Sequence, residues 1–370
     1  MAGELAPAQV GRRRRVVLRY VVGVLIGSVV LLLLFGKRGE LAAATHQLGS
    51  ASPGWVALAI AAESLSLLAF AWLQRRVLRL SGTTIPMPGL FALALANDAI
   101  SVTVPGEPAV SSAYRYRYYR RYGASAASAG WAIFSTLIAL AIGMSLVLLL
   151  GVTVALAGST SITGTGVALV GLVIVVGAGA VLIRRDLVIG LAAAAVRGLR
   201  RATGHPRGSL AARIEATLAR MREIPLSARS TAGIVMIAAA VWCADFLCLV
   251  CSFRAVHSGV PWHGVLLAYG VAVVVGSFPV VPGGLGLVEG SLAVVLVAYG
   301  TGRIPAVSAV LAFRIVNFWL PIPVGWTSVA VIARHLRRNG RDRQDQSQDG
   351  ERGWPGELTP DGPANVPASD

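Results

Sequence analysis

The sequence predicts an all-α polytopic membrane protein with about six membrane crossings and two re-entrant hairpins of broken helix, arranged as an inverted repeat. Hydrophobic residues make up 55% of the 370 residues, charged residues only 14%, and the mean hydropathy is +0.69. Long apolar runs recur, and arginines concentrate between them, as in membrane proteins. Two of the runs are broken by proline, glycine and acidic residues, and such breaks are tolerated at membrane depth only where protein or a polar cavity satisfies the backbone. Eight full spans are the alternative.

The first two spans follow from apolar runs and their basic flanks. Residues 1–15 end in four arginines and precede an apolar run at 16–35, which is long enough to cross the hydrocarbon. The sequence Gly-Lys-Arg-Gly-Glu at 36–40 is unlike a cleavage site, so we expect this span to stay attached. A second span over residues 53–73 ends near Arg75, Arg76 and Arg79, which places this end in the cytoplasm.

The next apolar run, residues 86–104, has basic residues on both flanks. It contains Asp98 and is closed by Pro105 and Gly106, which predicts a hairpin that enters from the cytoplasm, with a full crossing as the alternative. Spans are then expected at 129–156 and 167–183. The arginine-rich segment 184–229 is predicted to be cytoplasmic, with one helix on the membrane surface.

The second half repeats this order. A span is predicted at 231–253, a broken hairpin at 264–299 with its break at 278–290, and a last span at 305–333. In each half, a span that carries an acid precedes a Pro-Gly break, which indicates an inverted repeat. The organisation is therefore a cytoplasmic tail at 1–15, a membrane domain at 16–336 and a disordered cytoplasmic tail at 337–370. Both termini are expected on the cytoplasmic side of the plasma membrane.

Several charged residues fall within apolar sequence, where each costs roughly 2.5–3.5 kcal/mol on insertion scales. Glu289 and Arg314 are expected to form an ion pair, either structural or also in contact with a substrate headgroup. Glu63, Asp98 and Asp245 are possible structural or proton-carrying acids. Glu63 and Asp245 each stand alone in an apolar span, which favours a structural role.

Other chemistry is excluded by missing motifs. The glycine-rich sequence at 282–286 has no P-loop spacing and no nearby lysine, and neither a zinc motif nor a catalytic triad can be assembled. We therefore predict no cofactor, no metal site and no nucleic-acid partner. The stretch 114–122 interleaves tyrosines with arginines, so it is either an interfacial anchor or a site that captures an anionic lipid headgroup.

The second-half motif resembles a known family. Residues 278–325 contain Pro-Gly-Gly-Leu-Gly-Leu-Val-Glu-Gly, then Arg314, then Asn-Phe-Trp-Leu-Pro at 317–321 and Gly325. This run is similar to the lysylphosphatidylglycerol synthase transmembrane-region family, which is also described as flippase-like. In the first half, Pro105-Gly106-Glu107, the basic stretch and Gly123 resemble the family pattern more loosely. Full-length synthases add a soluble aminoacyl-transferase domain that this sequence does not show, so the resemblance implies a stand-alone flippase-like protein.

These observations lead to the hypothesis of a lipid translocase in cell-envelope biogenesis. Its cargo would be an anionic or aminoacylated phospholipid or a polyprenyl-phosphate-linked lipid, and no bond would be made or broken. The candidate substrate-binding residues are Glu107, Arg115, Arg117, Pro282, Gly283, Gly284, Gly286, Glu289, Arg314 and Asn317. Two alternatives remain open: a non-catalytic membrane partner of an envelope glycosyltransferase or lipid-modifying enzyme, and an integral-membrane transferase.

Overall fold

The computed structural model describes residues 46–104, 107–158, 227–277 and 282–334, and these residues form helices and their connections. Within this part of the chain, four helices are long and apolar enough to cross a membrane. They are α1 (Pro53–Leu80), α4 (Ala126–Gly158), α5 (Ala228–Ala255) and α8 (Arg303–Arg334). The predicted spans at 16–35 and 167–183, the tails and nearly all of segment 184–229 lie outside the described residues.

Four shorter helices form the two hairpins. They are α2 (Met87–Thr103), α3 (Glu107–Arg121), α6 (Val265–Gly276) and α7 (Leu287–Ala298), with a 3-10 turn at Pro282–Gly284 between the last two. Helices α6 and α7 have 12 residues each, so each extends about 18 Å, well short of the roughly 30 Å of hydrocarbon.

The crossing helices define two ends of the bundle. At one, the basic end, Ser128 near the start of α4 donates a hydrogen bond to the carbonyl of Ser81 after α1, at 3.3 Å. At the opposite end, the Ser52 N–H donates to the carbonyl of Ala255, at 2.8 Å. Helices α1 and α5 therefore run antiparallel, and between these ends Ser66 Oγ donates to the Val241 carbonyl at 3.0 Å.

The first hairpin enters from the basic end and returns to it. Gly89, near the start of α2, faces Tyr118, near the end of α3, so closely that a β-carbon on Gly89 would lie 2.6 Å from Tyr118 Oη. The second hairpin enters from the opposite end, where the ring of Tyr299 after α7 packs against Gly264 before α6. The two predicted hairpins are thus present in the described residues. The number of full crossings stays a prediction, since two of the predicted spans lie outside these residues.

The tips of the two hairpins meet inside the bundle. Helix α2 packs against the 3-10 turn of the second hairpin, where Val102 lies beside Gly283. Gly325 on α8 faces the carbonyl oxygen of Leu95 on α2, and a β-carbon there would collide with it. Each half therefore contributes a span, a hairpin and a second span, with the hairpins opening at opposite ends, as an inverted repeat predicts.

Two apolar cores support this arrangement, one largely in each half. The first-half core includes Leu73, Leu90, Leu93 and Tyr119, and the second-half core includes Phe253, Tyr269, Leu292 and Phe313. Large apolar side chains also cover the outer surface, for example Leu65, Trp72, Leu150, Met236 and Val294. Such a surface suits contact with lipid tails rather than water.

Candidate functional site

The charged residues of the apolar spans lie at a common depth. Glu63 stands ten residues after Pro53 on α1, and Asp245 stands ten residues before Ala255 on the antiparallel α5. At 1.5 Å per residue, both lie about 15 Å from the same end of their helices. That distance is about half of a hydrocarbon core, so we expect these buried acids near mid-membrane depth.

Arg314 on α8 holds the break of the second hairpin. Its Nε donates to Glu289 Oε1 at 2.6 Å, and its Nη2 donates to the carbonyl of Gly283 at 3.1 Å. The guanidinium also lies over the ring of Phe318, 3.9 Å from its centroid. The predicted ion pair between Glu289 and Arg314 is thus confirmed, with a backbone and an aromatic partner in addition.

Glu289 makes a second contact that fixes the start of α7. Its Oε2 accepts the backbone N–H of Gly286 at 2.7 Å, which satisfies an amide that the helix itself leaves unpaired. One carboxylate therefore joins the broken turn, the first turn of α7 and helix α8. We refer to Gly283, Gly286, Glu289, Arg314 and Phe318 as the Arg314 cluster.

The glycines of the break are required by conformation and space. Gly283 has φ +62°, and a β-carbon there would collide with the ring of Phe318. Gly284 and Gly286 also have positive φ, at +63° and +80°. These values let the chain reverse within a few residues, so the carbonyl of Gly283 can face Arg314. Pro282 begins the 3-10 turn, and its side chain lies outside the described part.

Helix α8 widens into a π turn directly after Arg314. Over Ile315–Trp319 the helix makes an i to i+5 hydrogen bond, from the Leu320 N–H to the Ile315 carbonyl at 2.9 Å. Pro321 follows and has no N–H to continue the regular pattern, which accounts for the irregularity at this position. The π turn contains Asn317.

Asn317 bridges the two acids of the spans. Its Nδ2 donates to Asp245 Oδ1 at 2.6 Å and to Glu63 Oε2 at 3.2 Å. Tyr269 on α6 donates its hydroxyl to Asp245 Oδ2 at 2.5 Å. Glu63 and Asp245, which stand alone in their own spans along the sequence, are brought together by the antiparallel packing of α1 and α5. We refer to these four residues as the Asn317 cluster.

Asp98 adds a further charge beside both clusters. It is partly buried on α2 and interacts electrostatically with Asp245 and Arg314. The first hairpin thus carries an acid to the place where the second hairpin is held by a cation. Four acids, each on a different helix, and one guanidinium therefore lie together where the hairpin tips meet.

The first-half candidates are more dispersed than the sequence suggested. Glu107 begins α3, and its side chain lies outside the described part of the chain. Arg115 is buried with 4% exposure and donates to Ser112 Oγ at 3.5 Å, whereas Arg117 is exposed. The two arginines, which the sequence grouped in one basic stretch, therefore belong to different faces of α3.

Three contributors were not identified from the sequence. Phe318 appeared in the sequence only as part of the motif at 317–321, with no role assigned to it, and Tyr269 shows no signal beyond an aromatic side chain in an apolar run. Gln74 is fully buried on α1 and accepts a hydrogen bond from Tyr119 Oη at 2.6 Å. A buried amide in an apolar span was a usable signal, because such groups need partners within the bundle.

The arrangement suits exchange of one anion for another. Arg314 is a buried cation whose main partner, Glu289, is a side chain that can be displaced by a second oxyanion. Within the described residues, no group of three or more histidine, cysteine, aspartate or glutamate side chains is placed to hold a metal ion.

Comparison with known proteins agrees with this geometry. No curated protein matched the chain. The model of the lysylphosphatidylglycerol synthase transmembrane region matches residues 20–325, which include both hairpins and both clusters. The match agrees with the resemblance in the second-half motif and concerns membrane proteins involved in lipid handling. The chain therefore belongs to the lysylphosphatidylglycerol synthase transmembrane-region family.

Proposed function

We propose that this protein is a lipid translocase that carries an anionic headgroup past the hairpin tips while the acyl chains stay in the bilayer. The observation that carries the proposal is the meeting of two broken hairpins, one from each end, beside the Arg314 cluster at mid-membrane depth. Broken helices of inverted repeats that meet near the midplane are typical of alternating-access transporters. The cargo class is an anionic or aminoacylated phospholipid or a polyprenyl-phosphate-linked lipid.

Charge is the main obstacle to this movement. An oxyanion in hydrocarbon loses its hydration, and an isolated charge is costly there unless a partner replaces the water. Arg314 supplies such a partner at the depth where the cost is greatest. Because it is already held by Glu289 and Gly283, the guanidinium needs no rearrangement to point toward the hairpin tips.

The same contacts link headgroup binding to hairpin movement. A phosphate that replaces Glu289 as the partner of Arg314 breaks the bond that joins α7 to α8. The Glu289 carboxylate is then held in place by the Gly286 N–H but no longer by Arg314. The headgroup therefore favours a conformation in which the second hairpin is released. A ligand shifts such an equilibrium only through its different affinity for the two states, and the exchange of partners provides that difference.

We further propose that the basic end faces the cytoplasm of the plasma membrane. Arg76, Arg79, Arg120 and Arg121 are exposed there, and positive charge favours the cytoplasmic side. In this proposal the movement is driven by an ion gradient or by the lipid gradient, and no covalent bond is made or broken.

The test is leaflet exchange of fluorescent phosphatidylglycerol and polyprenyl-phosphate analogues in proteoliposomes. Wild type is compared with Glu289→Gln and Arg314→Gln, and Arg303→Gln, an exposed arginine on the same helix, is the matched control. We expect Arg314→Gln to reduce exchange at least about tenfold, since it removes a charge-assisted hydrogen bond to the headgroup that is worth about 1.5–3 kcal/mol. Glu289→Gln should also change the exchange rate, because the bond that the headgroup replaces is then already weakened. The control should keep wild-type exchange.

Two outcomes would count against the proposal. Exchange at the level of empty liposomes for wild type, under several gradients, would shift weight to a non-transporting partner of an envelope enzyme. A chemically altered lipid recovered from the same vesicles, with loss of that product in Glu289→Gln, would instead indicate a transferase.

A further inference from the structure

A cavity of about 620 Å³ opens at the basic end between α3 and the last turn of α8, some distance from the Arg314 cluster. Three arginines and three tyrosines line it with one apolar residue. They are Tyr114, Tyr116, Arg117, Tyr118, Arg120, Arg121 and Ile332. Its size is in the range of sites that bind small molecules.

The cationic side of this cavity is exposed and made largely from one face of α3. Arg117 and Arg121 are four residues apart, so they project from the same side of the helix, and both are exposed. Arg120 is also exposed and donates to the carbonyl of Ala124 at 2.6 Å. The buried Arg115 is not among the lining residues.

A second cavity of about 310 Å³ adjoins the first and shares Tyr118 and Ile332 with it. Its other walls come from the start of α2, the end of α3 and the end of α8. They are Pro86, Pro88, Gly89, Ala92, Tyr122 and Val331. No charged side chain lines it, and the tyrosine rings at 118 and 122 lie 4.9 Å apart at the junction.

We propose that the joined cavities form a binding site for one molecule of anionic phospholipid at the basic end. The phosphate lies among Arg117, Arg120 and Arg121, and one acyl chain enters the apolar cavity beside Ala92 and Val331. A guanidinium group can donate two parallel hydrogen bonds to one phosphate, and tyrosine side chains are enriched at the depth of the lipid headgroups. A cationic compartment joined to an uncharged one matches the two chemical parts of a lipid.

This site is separate from the Arg314 cluster. Ile332 lies 18 residues beyond Arg314 on α8, which corresponds to roughly 27 Å along the helix. Binding of lipid there does not depend on translocation. A role of this site in passing lipid on to the Arg314 cluster would rest on the proposed function. The two ideas can therefore fail independently.

The experiment measures binding of fluorescent phosphatidylglycerol to the full-length protein in detergent micelles, with fluorescent phosphatidylcholine as the lipid without net charge. The variant Arg117→Gln with Arg121→Gln removes two charges from the cavity and leaves Arg120 in its contact with Ala124. The matched control, Arg76→Gln with Arg79→Gln, removes two exposed charges from the same end of the bundle. We expect the cavity variant to weaken phosphatidylglycerol binding about tenfold or more, and the control less than about twofold.

Two further arms test the apolar part and the independence of the site. Ala92→Phe should fill the second cavity and weaken binding of phosphatidylglycerol several-fold, and glycerol 3-phosphate should compete poorly with the lipid. Arg303→Gln, at the exposed start of α8 and outside both cavities and the Arg314 cluster, should retain wild-type binding. Size-exclusion profiles and melting temperatures verify that each variant is folded.

The proposal is overturned if both double variants weaken binding equally, because the loss would then follow from the total charge at the basic end rather than from this cavity. It is also overturned if wild type binds phosphatidylcholine as tightly as phosphatidylglycerol. Equal competition by glycerol 3-phosphate, or wild-type affinity in a folded Ala92→Phe variant, would remove the acyl-chain part and leave a site for soluble phosphate.

Discussion

The contact between Glu289 and Arg314 makes a quantitative prediction for stability. Replacing Arg314 by glutamine removes the 2.6 Å bond to Glu289 and leaves a buried carboxylate whose remaining donor, among the described residues, is the Gly286 N–H. Breaking a buried ion pair from one side typically costs about 3–5 kcal/mol. Since the remaining backbone bond compensates Glu289 in part, we expect the lower part of this range, about 3 kcal/mol.

The double variant separates the pair from its individual residues. With Glu289→Gln and Arg314→Gln together, neither member of the pair is left as an unpartnered charge, and the two amides can still hydrogen-bond to each other and to Gly286. We expect the double variant to be about 2–3 kcal/mol more stable than the sum of the single effects predicts. Arg303→Gln, at the exposed start of α8, should change the free energy of unfolding by less than about 0.5 kcal/mol.

The assay is reversible unfolding in mixed micelles, followed by circular dichroism, for wild type, the two single variants, the double variant and the Arg303 control. The result that would refute the reasoning is simple additivity. If the double variant loses as much stability as the two single variants combined, Glu289 and Arg314 do not stabilise each other.

Three further predictions concern the hairpin tips and the acids beside them. Gly283→Ala should lower the free energy of unfolding by about 2–4 kcal/mol, because alanine is strained at this positive φ and its β-carbon would collide with Phe318. Adding Phe318→Ala should restore part of that loss. Gly325→Val should cost about 2 kcal/mol or more and separate α8 from α2, measured as faster proteolysis of the first hairpin. Asn317→Leu should cost about 2–4 kcal/mol by denaturation, since it removes both hydrogen bonds to Glu63 and Asp245.

A matched glycine on α5 controls for the helix itself. Gly233 has no atom near the position of an added β-carbon, so Gly233→Ala should change stability by less than about 1 kcal/mol. Equal effects of alanine at 233 and 283 would contradict the conformational argument for the break. Unchanged proteolysis of folded Gly325→Val would show that close approach to Leu95 is not required, and a neutral Asn317→Leu would show that the two acids do not depend on its amide.

Much of the fold was predictable because it follows from local properties of the chain. Helix α2 was expected over 86–104 and is observed at Met87–Thr103, and the break at 278–290 contains the 3-10 turn Pro282–Gly284. The length of an apolar run, its basic flanks and its Pro-Gly breaks are features of a few tens of consecutive residues. They therefore predict spans and breaks without knowledge of which helices pack together. The Glu289 and Arg314 pair was predictable for the same reason, as two opposite charges in one apolar module.

The remaining features depend on contacts between distant segments. Asn317 meets Glu63, 254 positions earlier, and Asp245, 72 positions earlier, only because α1, α5 and α8 pack around one depth. Tyr269 reaches Asp245 from helix α6, which carries no other polar side chain. The division of α3 into a buried Arg115 and an exposed Arg117 likewise depends on which side of that helix faces the bundle.

The sequence by itself therefore determined the class of protein, the positions of the helices and their breaks, and the family motif, since composition and spacing are properties of the chain alone. Tertiary structure decided which charges share a partner, which arginines face the cavity at the basic end and that the two hairpin tips meet. The physical reason is that a charge at membrane depth must be satisfied by whatever surrounds it, and those neighbours are set by helix packing rather than by order along the chain.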